Sequence, residues 1–429
     1  MGGILADDMG LGKTLEVITS IKADMNELPS LIVCPKSLLF NWYTEFEKFD
    51  GETDVRMIYG NSDIRKNRIL GINPEKKVIY ITAYDSLRND IELYQNINFN
   101  YLILDEAQNI KNVTALKSVA VKSIDANHRF ALTGTPIENN IIDLWSIFDF
   151  VMPGYLQDLN IFKARYLNNE AFNEIIKKKV APFILRRTKE EVLKDLPEKY
   201  ERIVSCDMSK NQRKIYDAHI NDAKTKLDSG SSIEVLAYLT RLRQICVAPK
   251  LFIDECMPES GKLDYLRELI PSYINDGHKI LIFSSFVGGL NLIADLLKEL
   301  DIKYFMLTGD TKLEQRKLET DEFNKNDDIK VYLISLKAGG TGLNLVGADT
   351  VIHLDPWWNV SAENQASDRA HRIGQTRNVE VIKLVASESI EERVIELQNI
   401  KKKVIEDIIS DNDKSITGFT LDDLKFILS

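Results

Sequence analysis

The chain has 429 residues, which is enough for two or three domains that each bury a core of their own. Its composition, 44% hydrophobic and 28% charged, is typical of a soluble globular protein, and no apolar run is long enough to predict a membrane-spanning helix. The net charge of −10 argues against a surface that coats nucleic acid, although it leaves room for a local cationic cleft.

The first stretch predicts a strand, a glycine-containing loop and a helix in succession. Gly2–Ala6 is a short apolar strand, and Asp7–Gly12 favours a turn because it contains carboxylates and glycines. From Thr14 onward, apolar residues recur at helical spacing. A strand, loop and helix in this order form the context that a phosphate-binding loop requires.

Four residues of this loop are the candidates for phosphate chemistry. Gly10 and Gly12 let backbone N–H groups close round a phosphate at the start of a helix. Lys13 would neutralise the β- and γ-phosphates, and the hydroxyl of Thr14 would ligate Mg²⁺. Because Asp7 replaces the first glycine of the strict pattern, an ordinary turn between strand and helix is the alternative.

Short apolar runs then alternate with helical segments in two blocks. The predicted strands are Leu31–Cys34, Val78–Thr82, Tyr101–Leu104 and Arg129–Leu132, then Ile280–Phe283, Tyr304–Leu307, Val331–Ile334, Thr350–Leu354 and Val379–Leu384. Continuous apolar strands indicate parallel sheets covered on both faces. The predicted fold class is α/β, with two parallel-sheet lobes in residues 1–155 and 256–429 and an α-helical insert in residues 156–255.

Two carboxylates stand at the end of the strand Tyr101–Leu104. Asp105 would hold Mg²⁺, and Glu106 would orient the attacking water, since the carboxyl end of a parallel strand is where a ligand binds. Two solvated carboxylates are the alternative. After the next strand, the small hydroxyl residues in Thr133–Asn139 could sense the γ-phosphate, with a plain turn as the alternative.

The second block has polar candidates of its own. The segment 335–345 is dense in glycine, which indicates backbone close to a ligand at Gly340 and Gly342. Gln365, Arg369 and Arg372 would share one face of a helix that ends at Gly374 and would suit a cluster of phosphate oxygens. Surface ion pairs with neighbouring carboxylates are the alternative.

Seven motifs in this order resemble those of the Swi/Snf-type ATPases, a branch of the DEAD/DEAH-box helicase-like superfamily. They are GILADDMGLGKT, LIVCPKSLLFNW, DEAQ, LTGTPIEN, SLKAGGTGLNL, HLDPWWN and QASDRAHRIGQ. The resemblance implies two RecA-like lobes, ATP and Mg²⁺ bound between them, and double-stranded DNA lying across both. It also implies that Arg369 and Arg372 act as arginine fingers beside Gln365.

Candidate DNA contacts come from the same resemblance. In the first lobe they are Pro35, Lys36, Ser37, Thr82 and Tyr84, and in the second lobe they are Ser284, Ser285, Lys337 and Trp358. The segment that reads adenine in the family lies upstream of the phosphate loop and outside this sequence, which leaves base selectivity open.

The predicted function is that of an ATP-dependent translocase on double-stranded DNA, which displaces or remodels bound protein without separating the strands. A strand-separating DNA or RNA helicase is one alternative, and a truncated DNA- or partner-binding module with weak ATPase activity is another. We expect a microbial, cytoplasmic and nucleoid-associated protein without membrane contact, because the four cysteines form no C-x-x-C pair and no signal peptide is evident. RNA polymerase or a nucleoid protein is the expected type of DNA-bound partner.

Overall fold

The computed structural model describes residues 2–24, 26–134, 141–166, 175, 176, 178–226, 232–253, 255, 259–339, 342–410, 426 and 427. These residues fall into two compact units: the first holds the residues up to Lys194 together with 408–410, and the second holds the rest from Asp195 onward. Each unit is built on one parallel sheet flanked by helices, so the predicted α/β class with two parallel-sheet lobes is confirmed. Among the described residues, no helix is both long enough and apolar enough to cross a membrane.

The first unit contains a sheet of seven strands in the order β3-β4-β2-β5-β6-β1-β7, and its pairings are parallel. The strands are β1 Gly2–Leu5, β2 Ser30–Cys34, β3 Val55–Ile58, β4 Ile79–Ala83, β5 Phe99–Asp105, β6 Ala126–Leu132 and β7 Ile184–Leu185. The helices are α1 Lys13–Ala23, α2 Leu39–Phe49, α3 Ser62–Leu70, α4 Tyr84–Asn89, α5 Leu116–Lys122, α6 Ile141–Val151, α7 Leu159–Tyr166 and α8 Lys189–Val192.

Alternate residues of the central strands supply two hydrophobic cores, one on each face of this sheet. On one face, Ile32 and Ile103 pack with Trp42 and Phe46 of α2 and with residues of α1. On the other face, Leu31, Leu102 and their neighbours pack against α4 to α6. Burial on both faces is the reason why these strands read as continuous apolar runs.

The second unit contains a sheet of six strands in the order β10-β11-β9-β12-β13-β8, again with parallel pairings. The strands are β8 Lys199–Cys206, β9 Ile280–Ser284, β10 Tyr304–Leu307, β11 Val331–Ser335, β12 Thr350–His353 and β13 Val379–Ala386. The helices are α9 Lys210–Lys226, α10 Ser232–Val247, α11 Gly261–Asn275, α12 Val287–Glu299, α13 Leu313–Lys325, α14 Leu336–Gly339, α15 Val360–Ser367 and α16 Ile390–Ser410. Short 3₁₀ turns occur at Lys36–Leu38, Ile91–Tyr94, Ala107–Ile110, Ala181–Phe183 and Pro249–Leu251.

Every predicted strand is present within a few residues of its predicted bounds. Three strands were not predicted: β3, β7 and β8. β8 lies inside the interval 156–255 that we expected to be helical, and it pairs along its whole length with β13 of the second sheet. The division of the chain into segments 1–155, 156–255 and 256–429 stays a prediction.

A buried ion pair ties α11 to α16 in the second unit. The ammonium of Lys262 lies 2.6 Å from the carboxylate of Glu391, both side chains are at most 1% exposed, and Lys262 also donates to the carbonyl of Leu354 at 2.7 Å. The other partner of Glu391 is the N–H of Ala386. Burial raises the pKa of Glu391, and the Lys262 ammonium opposes that shift.

Replacing Lys262 should therefore destabilise the second unit strongly. We expect Lys262→Met to lower the free energy of unfolding by about 3–5 kcal/mol, because it leaves the Glu391 carboxylate buried without its cation. Arg267→Met on the same helix is the matched control, since Arg267 and Glu299 are exposed and such pairs contribute about 1 kcal/mol or less. Denaturant titration measures both, and equal losses in the two variants would contradict the assignment.

Candidate active site

The motifs of the first unit meet at one edge of its sheet. In the register of the parallel strands, Leu5 of β1 pairs with Leu132 of β6, and Leu132 pairs in turn with Asp105 of β5. The phosphate loop, the segment after Thr133 and the two carboxylates therefore leave the sheet at the same level from three adjacent strands. This edge is where a parallel sheet binds its ligand.

The phosphate loop has the backbone that glycine permits. Gly12 caps α1 with φ 92° and ψ 24°, a left-handed conformation that an L side chain rarely adopts, and a Cβ there would meet no atom within 4 Å. Within the described part of the chain, no acceptor is bonded to the backbone N–H groups of Gly12, Lys13 or Thr14. These donors at the positive end of an eleven-residue helix fit a phosphate.

Lys13 folds back on its own loop. Its ammonium donates to the carbonyl of Asp7 at 2.6 Å and to that of Asp8 at 3.3 Å. Burial lowers the pKa of Lys13, and the carboxylates of Asp105 and Glu106 oppose that shift. Lys13 is thus close enough to Asp105 and Glu106 to act on the same ligand as they do.

The residues at this edge fit a nucleotide that carries its own Mg²⁺. The described residues contain no group of three or more His, Cys, Asp or Glu side chains that could hold a metal on their own. Mg²⁺ on a nucleotide needs few protein ligands, because phosphate oxygens and waters complete its octahedron. Thr14 and Asp105 would hold the ion, and it would supply positive charge to the phosphates when bound.

Asp105 is fixed in place by three donors. Its carboxylate accepts the backbone N–H of Glu106 at 2.9 Å and the indole N–H of Trp42 at 2.8 Å, and its carbonyl accepts the hydroxyl of Tyr84 at 2.8 Å. Burial raises the pKa of Asp105, Glu106 raises it further, and the Trp42 hydrogen bond opposes both. A cation at this carboxylate would favour its ionised form.

Glu106 adopts a strained backbone conformation and is linked through Gln108 to Thr133. Its φ of 51° and ψ of 55° lie in the left-handed region, which is uncommon for a residue other than glycine and is often found at functional sites. The amide of Gln108 donates to the Glu106 carboxylate at 2.6 Å, and the hydroxyl of Thr133 donates to Gln108 at 3.0 Å. This chain joins the ends of β5 and β6. Residues 135–139 lie outside the described residues.

The predicted DNA contacts of the first unit differ in exposure. Lys36 is exposed, and Pro35 and Ser37 beside it are half-buried. The side chains of Thr82 and Tyr84 are buried; Thr82 donates to the carbonyl of Ile58, and Tyr84 supports Asp105. In this structure neither of these two side chains presents a surface to a ligand, and their predicted role stays a prediction.

The predicted contacts of the second unit gather at the carboxyl edge of its sheet. Ser284 of β9 aligns with Ser335 of β11, just before the exposed Lys337. Ser284 donates to the carboxylate of Asp355 at 2.6 Å, and Ser285 donates its N–H to the same group at 3.0 Å. The ring of Trp358 lies against that of its neighbour Trp357, with centroids 4.4 Å apart and planes tilted by 32°.

Arg243 organises this edge from α10. Its guanidinium, 2% exposed, donates to Asp355 at 2.7 Å and to the hydroxyl of Ser285 at 3.0 Å, and it lies 4.8 Å from the ring of Trp358. Reasoning from sequence missed Arg243, because its partners lie more than forty residues away in the chain.

The helix predicted for Gln365, Arg369 and Arg372 is shorter than expected. The prediction of a helix that ends at Gly374 was wrong, because α15 ends at Ser367. Only Gln365 is helical, and both arginines lie in the turns that follow. The helix ends there because carbonyls of this segment bond elsewhere: the carbonyl of Arg369 accepts the N–H of Leu345, and that of Ala370 accepts the Gln375 amide.

Arg372 is engaged within its own unit. Arg369 is buried, whereas Arg372 is half-buried and donates to the carbonyl of Leu343 at 3.1 Å. The latter bond holds Arg372 beside Gly342, which has a φ of 74°. Gly340 lies outside the described residues.

Three residues of the first unit were missed as parts of the site: Trp42, Gln108 and Arg187. Trp42 and Gln108 stand inside the motifs LIVCPKSLLFNW and DEAQ, whereas Arg187 lies far in sequence from all seven motifs, and no local pattern shows the long-range partner of any of the three. Arg187 is joined to Asp7 of the phosphate loop across 180 positions of sequence.

Comparisons with known proteins agree with these motifs. The SNF2-related domain family matches residues 1–251, and the helicase conserved C-terminal domain matches residues 261–374. A solved structure titled as the SWI2/SNF2 ATPase core of Sulfolobus solfataricus in complex with double-stranded DNA is 36% identical, with a TM-score of 0.46, and the match covers 99% of this chain and 92% of that chain.

Two curated bacterial relatives match over nearly the whole chain. An uncharacterized ATP-dependent helicase of Mycoplasma genitalium is 38% identical over 95% of this chain and 40% of its own length. The putative ATP-dependent helicase/translocase YwqA of Bacillus subtilis is 35% identical over 99% of this chain and 48% of its own length. The chain thus spans less than half the length of these relatives.

Proposed function

The chain belongs to the SNF2-related family, and we propose that it is the motor core of an ATP-dependent translocase on double-stranded DNA. The resemblance to Swi/Snf-type ATPases is confirmed by this membership, and with it the assignment to ATP-hydrolysing, helicase-like enzymes. We propose that the nucleic acid is double-stranded DNA, that the protein moves along it, and that it acts on a DNA-bound partner.

One observation carries the ATPase part of the proposal: the phosphate loop, Thr133 and the two carboxylates leave β1, β6 and β5 at the same level of one sheet edge. A phosphate loop in that position receives the phosphates on the N–H groups of α1. Asp105 lies within electrostatic reach of Lys13 and is held by Trp42, so both can act on one bound nucleotide.

Each residue of the edge has a distinct part in hydrolysis. Lys13 leaves the carbonyls of Asp7 and Asp8 and donates to phosphate oxygens, because a full negative charge is the better acceptor for an ammonium. Glu106 accepts a hydrogen bond from the attacking water and orients it. Gln108 donates a hydrogen bond to the Glu106 carboxylate and accepts one from Thr133, so it couples Glu106 to the end of the neighbouring strand.

Support for the DNA part comes from the relatives and from one exposed lysine at the edge of each sheet. The relatives are named as ATP-dependent helicases, and one of them as a helicase/translocase. The exposed Lys36 and Lys337 each follow a strand end, where a backbone phosphate could be bound. We propose RNA polymerase or a nucleoid protein as the DNA-bound partner.

Duplex DNA should stimulate ATP hydrolysis, and the stimulation should rise with duplex length to a plateau, because a translocase binds once and hydrolyses many times. It should fall by on the order of tenfold or more between about 50 and 200 mM salt as phosphate contacts are screened. The measurement is steady-state ATPase activity with duplex DNA, single-stranded DNA and single-stranded RNA of equal length. Equal stimulation by RNA and duplex DNA would contradict the proposal.

A second experiment separates translocation from strand separation, which the helicase names of the relatives keep open. A third strand annealed in the major groove should be displaced in the presence of ATP while the duplex stays paired. Displacement of a strand from the duplex itself would favour the helicase instead. Absence of ATPase activity with every nucleic acid would favour the truncated binding module.

A further inference from the structure

The segment 184–189 extends the first sheet alongside the phosphate loop. β7 pairs with β1, and the pairing continues past the strand, because the N–H of Ala6 donates to Leu185 at 2.7 Å and the N–H of Asp8 donates to Arg187 at 3.0 Å. The carboxylate of Asp8 accepts the N–H of Lys189 at 3.1 Å. The first half of the loop is therefore held as an additional piece of parallel sheet.

The side chain of Arg187 joins the two ends of the loop. Asp7 stands at the entrance and is 0% exposed, and Glu16 stands in the first turn of α1. The guanidinium donates to the Asp7 carboxylate through Nε at 3.0 Å and also through Nη2, and Nη2 contacts Glu16 as well. The backbone N–H of Arg187 donates to Asp7 at 2.9 Å.

The buried carboxylate of Asp7 would capture Lys13 if Arg187 did not bind it. The ammonium of Lys13 already lies 2.6 Å from the carbonyl of Asp7, and the Asp7 carboxylate attracts it. A buried carboxylate without a cation of its own would compete with phosphate for Lys13. Arg187 satisfies this carboxylate and leaves Lys13 to the ligand.

We propose that Arg187 is a positioning residue for nucleotide binding, which holds Asp7 and Glu16 at the spacing of an open phosphate loop and keeps Asp7 from capturing Lys13. The inference rests on the proposed function, since it takes the ligand of the loop to be a nucleotide. The simpler alternative is that Arg187 only stabilises the fold.

The test is the affinity for ATP without DNA, together with kcat and KM, in the full chain. Arg187→Ala should weaken ATP binding about tenfold and raise KM similarly, with kcat at saturating ATP within about twofold, because a preorganising contact acts on ground and transition states alike. Arg187→Lys should recover little, since an ammonium does not form the planar fork that bonds Asp7 through two nitrogens. Arg186→Ala, the exposed neighbour, is the matched control and should bind ATP as the parent does.

The double variant Asp7→Asn/Arg187→Ala separates positioning from stability. Removing the charge of Asp7 as well should restore ATP affinity to within about threefold of the parent, because Lys13 loses its competitor. A residue that only stabilises the fold predicts that the double variant regains thermal stability, with no gain in the ATP affinity of the folded protein. Glu16→Gln, on a half-exposed side chain, should cost about two- to threefold and serves if Arg187→Ala melts too early to measure.

Two results would overturn the inference and leave the proposed function intact. In the first, the parent binds ATP and Arg187→Ala binds it with equal affinity. In the second, the double variant binds ATP no more tightly than Arg187→Ala does. Failure of the parent itself to bind ATP would instead overturn the proposed function, and this inference with it.

Discussion

Glu106→Gln should lower the turnover of ATP by about 10²–10³-fold while the affinity for ATP stays close to that of the parent. The amide keeps the size of the side chain and its place beside Gln108, but it no longer offers the attacking water a carboxylate. We assign this effect to Glu106 in particular because its left-handed backbone conformation fixes the position of its side chain at the end of β5.

Lys13→Ala is the contrasting variant for this experiment. It should weaken both ATP binding and hydrolysis, because the lost ammonium acts on the phosphates before and during the reaction. ATP affinity is measured beside steady-state turnover for both variants. Parental turnover in Glu106→Gln would show that another group orients the water.

The central strands could be predicted from sequence because both of their faces are buried. Runs such as Leu31–Cys34 and Val331–Ile334 are continuous and apolar, and each is a strand within a residue of its predicted bounds. The missed strands lie at sheet edges. β8 is mostly exposed and carries Lys199, Glu201 and Arg202, so it has no apolar run to recognise.

The candidate site was predictable where a residue acts through its own motif, and not where it acts through a distant partner. Lys13, Asp105 and Glu106 stand at strand ends, and the alternation of strands and helices places those ends together. The support of Asp105 by Trp42 joins positions 63 apart, and the support of Asp7 by Arg187 joins positions 180 apart. No local pattern encodes such pairs.

The end of α15 is a third feature that could not be predicted from the sequence. The spacing of Gln365, Arg369 and Arg372 fits a helical face, yet the chain leaves the helix after Ser367. Carbonyls at positions 369 and 370 bond to Leu345 and Gln375 instead of to the next turn. These hydrogen bonds, one from a distant residue and one local, outweigh a helical propensity that is worth less than about 1 kcal/mol per residue.

Arg372→Ala should lower DNA-stimulated turnover by about 10²-fold with little change in ATP affinity. We propose that Arg369 and Arg372 supply positive charge to the transferred phosphoryl group, and arginines in that role are worth on the order of 10³–10⁵ in rate when they act alone. Sharing between two residues reduces the effect of each single loss. Both belong to the second unit, whereas the phosphate loop belongs to the first, so such a loss would show that hydrolysis needs both units.

Arg372 is the more informative of the two, because its side chain is only half-buried, and it donates to the carbonyl of Leu343. Arg369→Ala should also lose turnover, but it removes a buried side chain, so its thermal unfolding has to be measured beside its rate. Arg372→Lys should recover little, since an ammonium lacks the planar fork of the guanidinium. Arg377→Ala is the matched control: Arg377 is 63% exposed in the same segment and pairs with Asp349. If Arg372→Ala turns over within about twofold of the parent, as Arg377→Ala should, the barrier has changed by only ~0.4 kcal/mol, and Arg372 then serves the fold of the second unit alone.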